Sequence, residues 1–544
     1  MLDMRDAAQL EVSDLQGLNA HAAQAVLEQL QRQAREIAFK DAKLEKLTFE
    51  LARHRAWRFG AKSEAMSEQQ RRLFEETLAE DEAALQAMLR SPAGEPDANK
   101  DRRRPRREKL PEQLPRVEHR HEPADTNCPT PGCGQPMTRI GEDVSERLDI
   151  VPAQFFVQRH IYGKWSCRCC ELLVQEPALS QIVDGGVPAA GLLAHTLIAR
   201  FVDHLPYYRQ EAINARSGVR TPRSTLAQWS GRAGAALEPL YEAHKRFVLQ
   251  ARVLHADETP VAMLDPKGHA GAPSGPTGKT KRAYVWAYAR GAFDAQRGVI
   301  YEFCAGRGGQ HPIAFLQQGP PGQGGQQEPW RGTLVRDEYA AYGSVLDAKT
   351  CPGRIGAGCL AHARRKFDEL LGSGASPNAS PVAAQAIRRI ADIYRVERET
   401  AEHSVEERLA VRREIGKPLW QEFQRLLMLE RARVADGGST AKAIDYSLSH
   451  WRALTHHLDD GAVPVDNNSL ENLIRPWAMG RKAWLFAGSE LAGQRAAIVM
   501  SLVQSAKLNG HDPWAYMRDI LARLPSQLNS RIDELLPHRW TPTQ

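Results

Sequence analysis

The sequence predicts a multidomain α+β protein, and three observations lead to this fold class. The chain has 544 residues, which is too long for one ordinary hydrophobic core. Five of its eight cysteines fall between positions 128 and 170, a spacing that indicates a small metal-bound module. From residue 251 onward, helical periodicity gives way to short apolar and β-branched runs that read as strands.

The N-terminal region, residues 1–90, has the pattern of a coiled coil. Leu30, Ile37, Leu44 and Leu51 are spaced seven apart within a long helical stretch over 22–53. The alternative is a single amphipathic helix that packs on its own protein. Four heptads with a charged exterior favour self-association, and we expect at least a dimer.

Residues 91–118 form a predicted basic, Pro-rich linker. Its segment 100–109 carries seven positive and two negative side chains, so it could attract phosphate backbones or be only a solvated connector. No apolar run approaches the ~20 residues needed to cross a bilayer, and the N-terminus lacks a signal-peptide pattern. The expected location is the cytoplasm, with the protein on the nucleoid when it is bound to DNA.

A zinc-binding module is predicted over 119–175. Cys128 and Cys133 form one close pair and Cys167 and Cys170 form the other, a pattern that suits one tetrahedral structural Zn²⁺. Cys169 is a competing ligand, because it lies beside Cys170. The alternative is a set of buried free thiols.

Helical periodicity continues to residue 248. The stretch 216–229 has a Gly turn followed by basic residues, which fits a helix-turn-helix DNA-binding unit or a plain helical connector. After residue 248, the pattern indicates a core in two parts with an insertion between them. The predicted units are a helical DNA-binding region over 176–248, an RNase H-like α/β core over 249–372 and 461–510, a helical insertion over 373–460 and a helical tail over 511–544.

Three acids of this core have the order expected for metal-dependent phosphodiester cutting. Asp257 lies in the first predicted strand and Asp337 ends the fourth, and these strands are neighbours in an RNase H-like sheet. Glu471 lies on a helix further along the chain, which Pro476 is expected to limit to about two turns or to kink. Converging carboxylates can hold two Mg²⁺ (or Mn²⁺) ions, which activate the attacking oxygen and stabilise the leaving oxygen. Three nearby acids could be confused with these ligands, namely Glu258, Glu338 and Asp466.

At this point the sequence resembles a known family, the large transposases of insertion-sequence family sixty-six, which are DDE transposases. The resemblance covers nearly the whole chain and is carried by RFGAKSE at 58–64, CPTPGCG and SCRCCE around the cysteines, GLLAHTLIARFVDHLPYYRQE at 191–211, STLAQW at 224–229, HADETPV, DEYAAY, CLAHARRKF at 359–367, DNNSLENLIRP and GRKAWLFAGSE at 480–490.

The resemblance implies that Asp257, Asp337 and Glu471 are the metal-binding triad and that the helices between the last two form an insertion domain. It also implies hydrolytic release of transposon ends and attack of the freed 3′-hydroxyl on target DNA. The chain departs from the family in a first cysteine pair lengthened by two residues, which puts the zinc ligands in doubt. It also has Ala483 in RKAW, and Asn472 after Glu471 where the family commonly has Arg, so one phosphate contact is missing.

Six basic residues near the triad are candidate DNA contacts. Those on the segment after the fourth strand could equally form a surface helix face, and Arg475 could pair with Glu471 instead of phosphate. The candidates are His362, Arg364, Arg365, Arg475, Arg481 and Lys482.

The expected partners are transposon-end and target DNA, a second copy of the chain, and accessory proteins of the same element. Two rival functions remain open at this stage. One is a non-catalytic DNA-binding protein, either a regulator or a decayed transposase that binds ends without cutting. The other is an RNase H-like nuclease that cuts without strand transfer.

Overall fold

The computed structural model describes residues 110–542 apart from 111, 113, 129, 152–153, 184, 265–279, 320–327, 372–379 and 485–486. The predicted coiled coil and the basic segment 100–109 therefore lie outside the described residues. Described helices and strands together form a mixed α and β protein, as the sequence predicts.

The N-terminal part is a four-stranded sheet. Its centre is a long antiparallel hairpin of β2 (Thr138–Val151) and β3 (Gln154–Ser166). Strand β1 (Arg116–His121) runs parallel to β3, and the short β4 (Leu173–Gln175) pairs with the end of β3. The loop before β2 and the turn after β3 carry the five clustered cysteines.

Three helices follow this sheet, namely α1 (Ala190–Phe201), α2 (Tyr207–Arg216) and α3 (Arg223–Val248). Gly218 has a φ of +78° in the turn between α2 and α3, a conformation that glycine adopts without steric cost. Apolar side chains of α1 and α3 belong to the same hydrophobic core as the second sheet. This part of the chain therefore packs against the core instead of standing apart from it.

The second sheet has five strands in the order β7–β6–β5–β8–β9. Strands β5, β6 and β7 form an antiparallel meander, and β8 and β9 run parallel to β5. The first and fourth strands of this sheet are thus neighbours. The strands are β5 (Val253–Leu264), β6 (Thr280–Arg290), β7 (Val299–Cys304), β8 (Gly332–Val335) and β9 (Arg354–Ala357), with the short helices α4 (Gln310–Leu316) and α5 (Ala341–Val345) between them.

Helix α6 (Leu360–Leu371) leads from the sheet into a group of helices with a separate hydrophobic core. Buried Arg412 links the start of this group of helices to its end. Its guanidinium donates to the Glu397 carboxylate and to the backbone carbonyls of His457, Asp460 and Val463. The helices are α7 (Pro381–Glu399), α8 (Val405–Val411), a π-turn (Arg412–Gly416), α9 (Lys417–Arg431), α10 (Ser439–Ser449) and α11 (Trp451–Thr455).

The chain then returns to the sheet through α12 (Asn468–Trp484), α13 (Glu490–Leu508) and α14 (Pro513–Arg523). The first of these helices runs through Pro476 for 17 residues, so of the two expected alternatives the limit of about two turns is wrong, and the kink stays a prediction. Packing of Leu470, Ile474 and Trp477 in the main core gives this helix a stabilisation that a missing N–H does not offset.

The main core extends from Leu148 to Trp540 and joins the first sheet, α1, α3, the second sheet and the C-terminal helices. Among the described helices, none combines the length and the apolar character required to cross a membrane. The domain boundaries drawn from the sequence stay predictions. Three of them, after residues 175, 248 and 510, fall between segments that share this core.

Candidate active site and zinc centre

Four cysteine thiols converge beside the first sheet. The Sγ atoms of Cys128, Cys133, Cys167 and Cys170 all lie within 4.8 Å of one another, and those of Cys133 and Cys167 are 3.8 Å apart. Cys169 is exposed and is not part of this cluster. The structure thus brings together the four cysteines that the spacing selected.

Tight turns present these thiols. Gly132 has a φ of +84° directly before Cys133, whose N–H donates to the Thr130 carbonyl at 3.0 Å. The hydroxyl of Thr130 lies 3.3 Å from the Cys128 Sγ, and hydrogen bonding from Thr130 lowers the pKa of Cys128 to about 6. Four clustered thiols, one of them readily ionised, fit the donor set of a structural zinc ion.

Asp337 follows the strand that neighbours the strand of Asp257. Strand β5 pairs with β8 in parallel, and the last paired residues are His255 and Val335. Each acid is two residues further along, so Asp257 lies within β5 and Asp337 lies just beyond the carboxyl end of β8. Their backbones are held locally, because the Asp257 carboxylate accepts from the Glu258 N–H at 2.8 Å and that of Asp337 from the Tyr339 N–H at 3.0 Å.

The carboxyl of Asp257 is buried among other acids. Burial is the largest cause that raises its pKa, to about 8, and the negative charges of Glu258, Asp337 and Glu471 raise it further. The backbone hydrogen bond from Glu258 opposes this shift only in part. Asp337 and Glu471 therefore each lie close enough to Asp257 to disfavour its charge. A group of mutually repelling carboxylates of this kind is what a divalent cation would neutralise.

Glu471 lies in the first turn of α12, which packs against β5. Two side chains of α6 lie beside it: Arg365 Nη2 is 3.6 Å from one carboxylate oxygen, and His362 Nδ1 is 3.7 Å from the other. The Glu471 Oε1 and the His362 Nδ1 are both buried and have no hydrogen-bond partner within the described residues. The Glu471 carboxylate thus keeps one buried oxygen available.

Asn467 links the strand of Asp257 to the helix of Glu471. Its side chain is fully buried, and its amide donates to the Ala256 carbonyl at 3.0 Å while its oxygen bonds to the His255 ring at 2.7 Å. Its backbone N–H donates to the Cys359 thiol at 3.2 Å. Burial raises the pKa of Cys359 to about 12, so this thiol stays protonated. Asn467 therefore fixes the start of α12 on β5.

Comparison with known proteins assigns the chain to a family. A family model described as the Transposase IS66 family matches residues 185–495, which is more than half of the chain. The protein belongs to the IS66 family of transposases. Two further models of the same family match the chain before and after that region. They are the zinc-finger binding domain of transposase IS66 over 125–171 and the IS66 C-terminal element over 501–538. A fourth, described as Transposase C of IS166 homeodomain, covers 46–118.

Relatives that align over most of the chain agree with this assignment. Three proteins of Sinorhizobium fredii, named as uncharacterized proteins y4jD, y4hP and y4qI, are 33%, 34% and 34% identical to this chain over 426, 432 and 437 residues. The aligned parts cover 76%, 76% and 78% of this transposase and 78%, 73% and 76% of the relatives. The family assignment makes the protein a transposase of an insertion sequence, which acts on DNA, and the zinc-finger match agrees with the thiol cluster.

The three competing acids have protein partners. Glu258 bonds to Arg307 and to the Tyr342 hydroxyl, the latter at 3.1 Å. Glu338 pairs with Arg336. Asp466 accepts from the Asn468 backbone N–H at 3.0 Å and from the Tyr394 hydroxyl at 2.8 Å. Glu258 and Asp466 are therefore occupied by groups of this transposase, whereas the Oε1 of Glu338 is buried without a hydrogen-bond partner among the described residues.

The predicted DNA contacts are spread over α6 and α12. Arg364 and Arg365 are exposed on α6, paired at 3.6 Å with Asp368 and Glu471 respectively, and His362 is half-buried against Glu471. Within the described residues, Glu471 pairs with these α6 cations and not with Arg475, which is exposed. The last two of the six candidates lie near the end of α12. Arg481 donates to the Pro260 carbonyl of β5 at 3.0 Å, and the side chain of Lys482 lies outside the described part.

The sequence does not reveal two of the groups that build this site. Asn467 is visible there only as part of the DNNS segment, and nothing in the pattern singles out Arg307. The Arg307 guanidinium bonds to Glu258 and lies 3.6 Å from the centre of the Tyr339 ring. Both residues act through partners far along the chain, for which periodicity gives no signal. The one available sign is two consecutive asparagines directly before a helix.

Proposed function

We propose that this transposase cuts and joins DNA at Asp257, Asp337 and Glu471, on an RNase H-like core. The observation that supports the proposal most directly is the parallel pairing of β5 with β8, which ends at His255 and Val335, two residues before Asp257 and Asp337. The strand order β7–β6–β5–β8–β9, with an antiparallel meander followed by two parallel strands, supports the RNase H-like assignment. The charge of Glu471 on Asp257 supports its place as the third acid.

The donor set fits a divalent cation. Three carboxylates supply only oxygen ligands, which Mg²⁺ or Mn²⁺ prefers. The buried, unpartnered Oε1 of Glu471 is the kind of atom that a ligand would satisfy. We propose that two such ions are held by Asp257, Asp337 and Glu471. When bound, they would activate the attacking oxygen and stabilise the leaving oxygen of the reaction.

The proposed chemistry has two displacements at phosphorus. In the first, a water oxygen bonds to phosphorus at the transposon end, and the bond to the 3′ oxygen breaks to leave a 3′-hydroxyl and a 5′-phosphate. In the second, that 3′ oxygen bonds to a phosphorus of target DNA, and the displaced target strand leaves with its own 3′-hydroxyl. The residues supply preorganisation: the strands fix Asp257 and Asp337, and Asn467 holds Glu471 beside them.

The thiol cluster supports a structural role for one Zn²⁺, with Cys128, Cys133, Cys167 and Cys170 as its ligands. Four thiolates leave a zinc ion no open position, as is usual for a site that maintains a fold. We further propose that the segment 22–53 pairs two or more copies, because joining two transposon ends needs at least two active sites. DNA contacts by the basic residues of α6 and α12, and accessory proteins of the same element, belong to this proposal.

An assay with labelled transposon ends, target DNA and Mg²⁺ tests the proposal. Asp257→Ala is expected to retain end binding and to lose cleavage and strand transfer by at least about 10³-fold. Asp459→Ala, an exposed acid beyond α11, is the matched control and should keep full activity.

The same assay separates the rival functions. Equal activity of the wild type and Asp257→Ala would refute the triad. Cutting without joined products would favour a nuclease, and binding without cutting, even with accessory proteins added, would favour a non-catalytic DNA-binding protein.

A further inference from the structure

A polar cavity of about 530 Å³ opens between the helical insertion and the start of the helix that carries Glu471. One wall is the face of α7 on which residues recur at helical spacing, ending in Tyr394 and Arg398. The opposite wall is α6, which contributes Arg364, Arg365 and Asp368. Asn468, the first residue of α12, closes one side. The cavity is thus built from the insertion and the core together.

Positive charge is in excess around this cavity. Three arginines and one aspartate line it, so the formal balance of these four side chains is +2. Arg364 and Asp368 are 3.6 Å apart and both are about half exposed, so their attraction is weak. Arg398 is exposed and has no carboxylate within 4 Å in the part of the chain that the structure describes. An anion entering the cavity would therefore meet two guanidinium groups without a strong competing partner.

Arg365 connects the cavity to the triad. It lines the cavity, and its Nη2 lies 3.6 Å from the carboxylate of Glu471. Asn468, on another wall, is three residues before Glu471 on the same helix. A DNA strand with one phosphate at the triad therefore has its neighbouring nucleotide within reach of the cavity.

Tyr394 gives the cavity an aromatic wall whose position is fixed. Its hydroxyl donates to Asp466 at 2.8 Å, and Asp466 also bonds to the backbone and the side chain of Asn468. The ring is therefore anchored to the start of the catalytic helix. Every nucleic-acid base has a π-face that can stack on such a ring. The volume suits a single nucleotide, whereas a duplex is too wide to enter.

We propose that this cavity binds one unpaired nucleotide of the DNA strand next to the phosphate at the triad. Its phosphate contacts Arg364, Arg365 and Arg398, and its base lies against Tyr394. The proposal rests on the proposed function, because it takes the triad as the place where the strand is cut. It assigns to the insertion a role in holding a nucleotide that has left the double helix.

Fluorescence anisotropy without added Mg²⁺ tests this site separately from catalysis. The probes are a labelled duplex with a five-nucleotide single-stranded extension and the same duplex with blunt ends. The wild type should prefer the extended probe, and Arg398→Gln should lose most of that preference. The salt dependence of extended-probe binding should also flatten by about 0.7 in the log–log slope, because one single-strand phosphate is no longer neutralised.

Arg395→Gln is the matched control on the same helix. Arg395 is exposed, pairs with Asp392 at 3.4 Å and does not line the cavity, so the preference and the slope should stay as in the wild type. No preference of the wild type for the extension, or an equal loss in both variants, would overturn the proposal. Because no cutting is measured, the triad can fail in its own assay while this result stands.

A second readout tests the base contact. An extension that carries 2-aminopurine should lose fluorescence on binding, because the base stacks on Tyr394. Tyr394→Phe keeps the ring and should keep the quenching, whereas Tyr394→Leu should abolish it and weaken binding by at least about 5-fold. Equal quenching in the phenylalanine and leucine variants would show that the base lies elsewhere.

Discussion

The thiol cluster and the sheet beside the three proposed catalytic acids differ in how much apolar packing surrounds them. Around the four cysteines, the described apolar cluster is small: Met137 is buried with Cys128 and Cys167, and Trp165, Leu172 and Val174 are partly buried beside them. Around the three acids, the main core packs side chains from both sheets and the surrounding helices, including fully buried Trp286, Tyr288 and Tyr301. The proposed zinc should therefore maintain the local fold around the cysteines, and the metal proposed at the three acids should serve only the chemistry.

The largest expected effect is the loss of the zinc module on Cys167→Ser. Structural zinc contributes about 10–16 kcal/mol in isolated finger peptides, so removing one thiolate should unfold the loop before β2 and the turn after β3 that carry the cysteines. Metal analysis should show about one zinc per chain in the wild type and none in the variant, together with faster proteolysis in these two segments, while the part of the first sheet that packs in the main core stays folded.

Cys169→Ser is the control, since this exposed cysteine is outside the cluster. It should keep both the zinc and the resistance to proteolysis. A wild-type protein without zinc, or a Cys167→Ser protein that keeps it, would refute the proposal that these four cysteines hold a structural zinc ion.

Asn467→Ala should have the next largest effect on stability. It leaves the His255 ring and the Ala256 carbonyl without their buried partner, which costs about 2–3 kcal/mol. Urea unfolding measures this loss. Strand transfer should fall further than the fraction of folded protein does, because α12 is no longer held on β5.

The exposed neighbour Asn472 provides the matched control for this change. Asn472→Ala should leave the urea midpoint and strand transfer unchanged. If Asn467→Ala is as stable and as active as this control, the link between β5 and α12 has no role in the site.

A smaller effect of opposite sign is expected for Asp257→Asn without added Mg²⁺. Burial and neighbouring acids raise the pKa of Asp257 to about 8. The folded protein therefore binds this proton more tightly than the unfolded chain, and stability falls as pH rises from about 4 to about 8. The variant should be more stable than the wild type at pH 9 and equal to it near pH 4.

Urea unfolding at the two pH values measures that difference, with Asp459→Asn as the exposed control. The control should follow the wild type at both pH values. If Asp257→Asn loses stability at pH 9, the carboxylate is held by attractive partners and the three acids do not repel one another.

The smallest effect on the fold is expected for deletion of 100–109. This segment lies outside the described residues, and its positive charge predicts phosphate contacts. The salt dependence of DNA binding should flatten by about 0.9 in the log–log slope for each phosphate that the segment neutralises. Thermal stability should not change. An unchanged slope would mean that the segment is only a connector.

The sequence predicts a site best where the residues that form it lie close together in the chain. Cys128 and Cys133, or Cys167 and Cys170, lie close in the chain, so their spacing indicates a site directly. Asp257 lies in an apolar strand run and Asp337 follows another, which narrows the choice of acids before the family resemblance fixes it, and the structure pairs these two strands. Choosing Glu471 over Asp466 depends on the family resemblance.

Long-range partners cannot be predicted in the same way. Asn467 meets His255 across 212 positions, and Tyr394 meets Asp466 across 72, through single hydrogen bonds that leave no periodic pattern. The continuation of α12 through Pro476 escapes prediction for a related reason. A proline is a strong local signal against a helix, and only tertiary packing offsets it.

The most direct test of the central proposal is to locate Mn²⁺ by anomalous diffraction in crystals of the transposase with transposon-end DNA. The proposed triad predicts manganese peaks in contact with the carboxylates of Asp257, Asp337 and Glu471. Peaks bound by Glu258, Glu338 or Asp466, with no manganese at the three proposed acids, would contradict it.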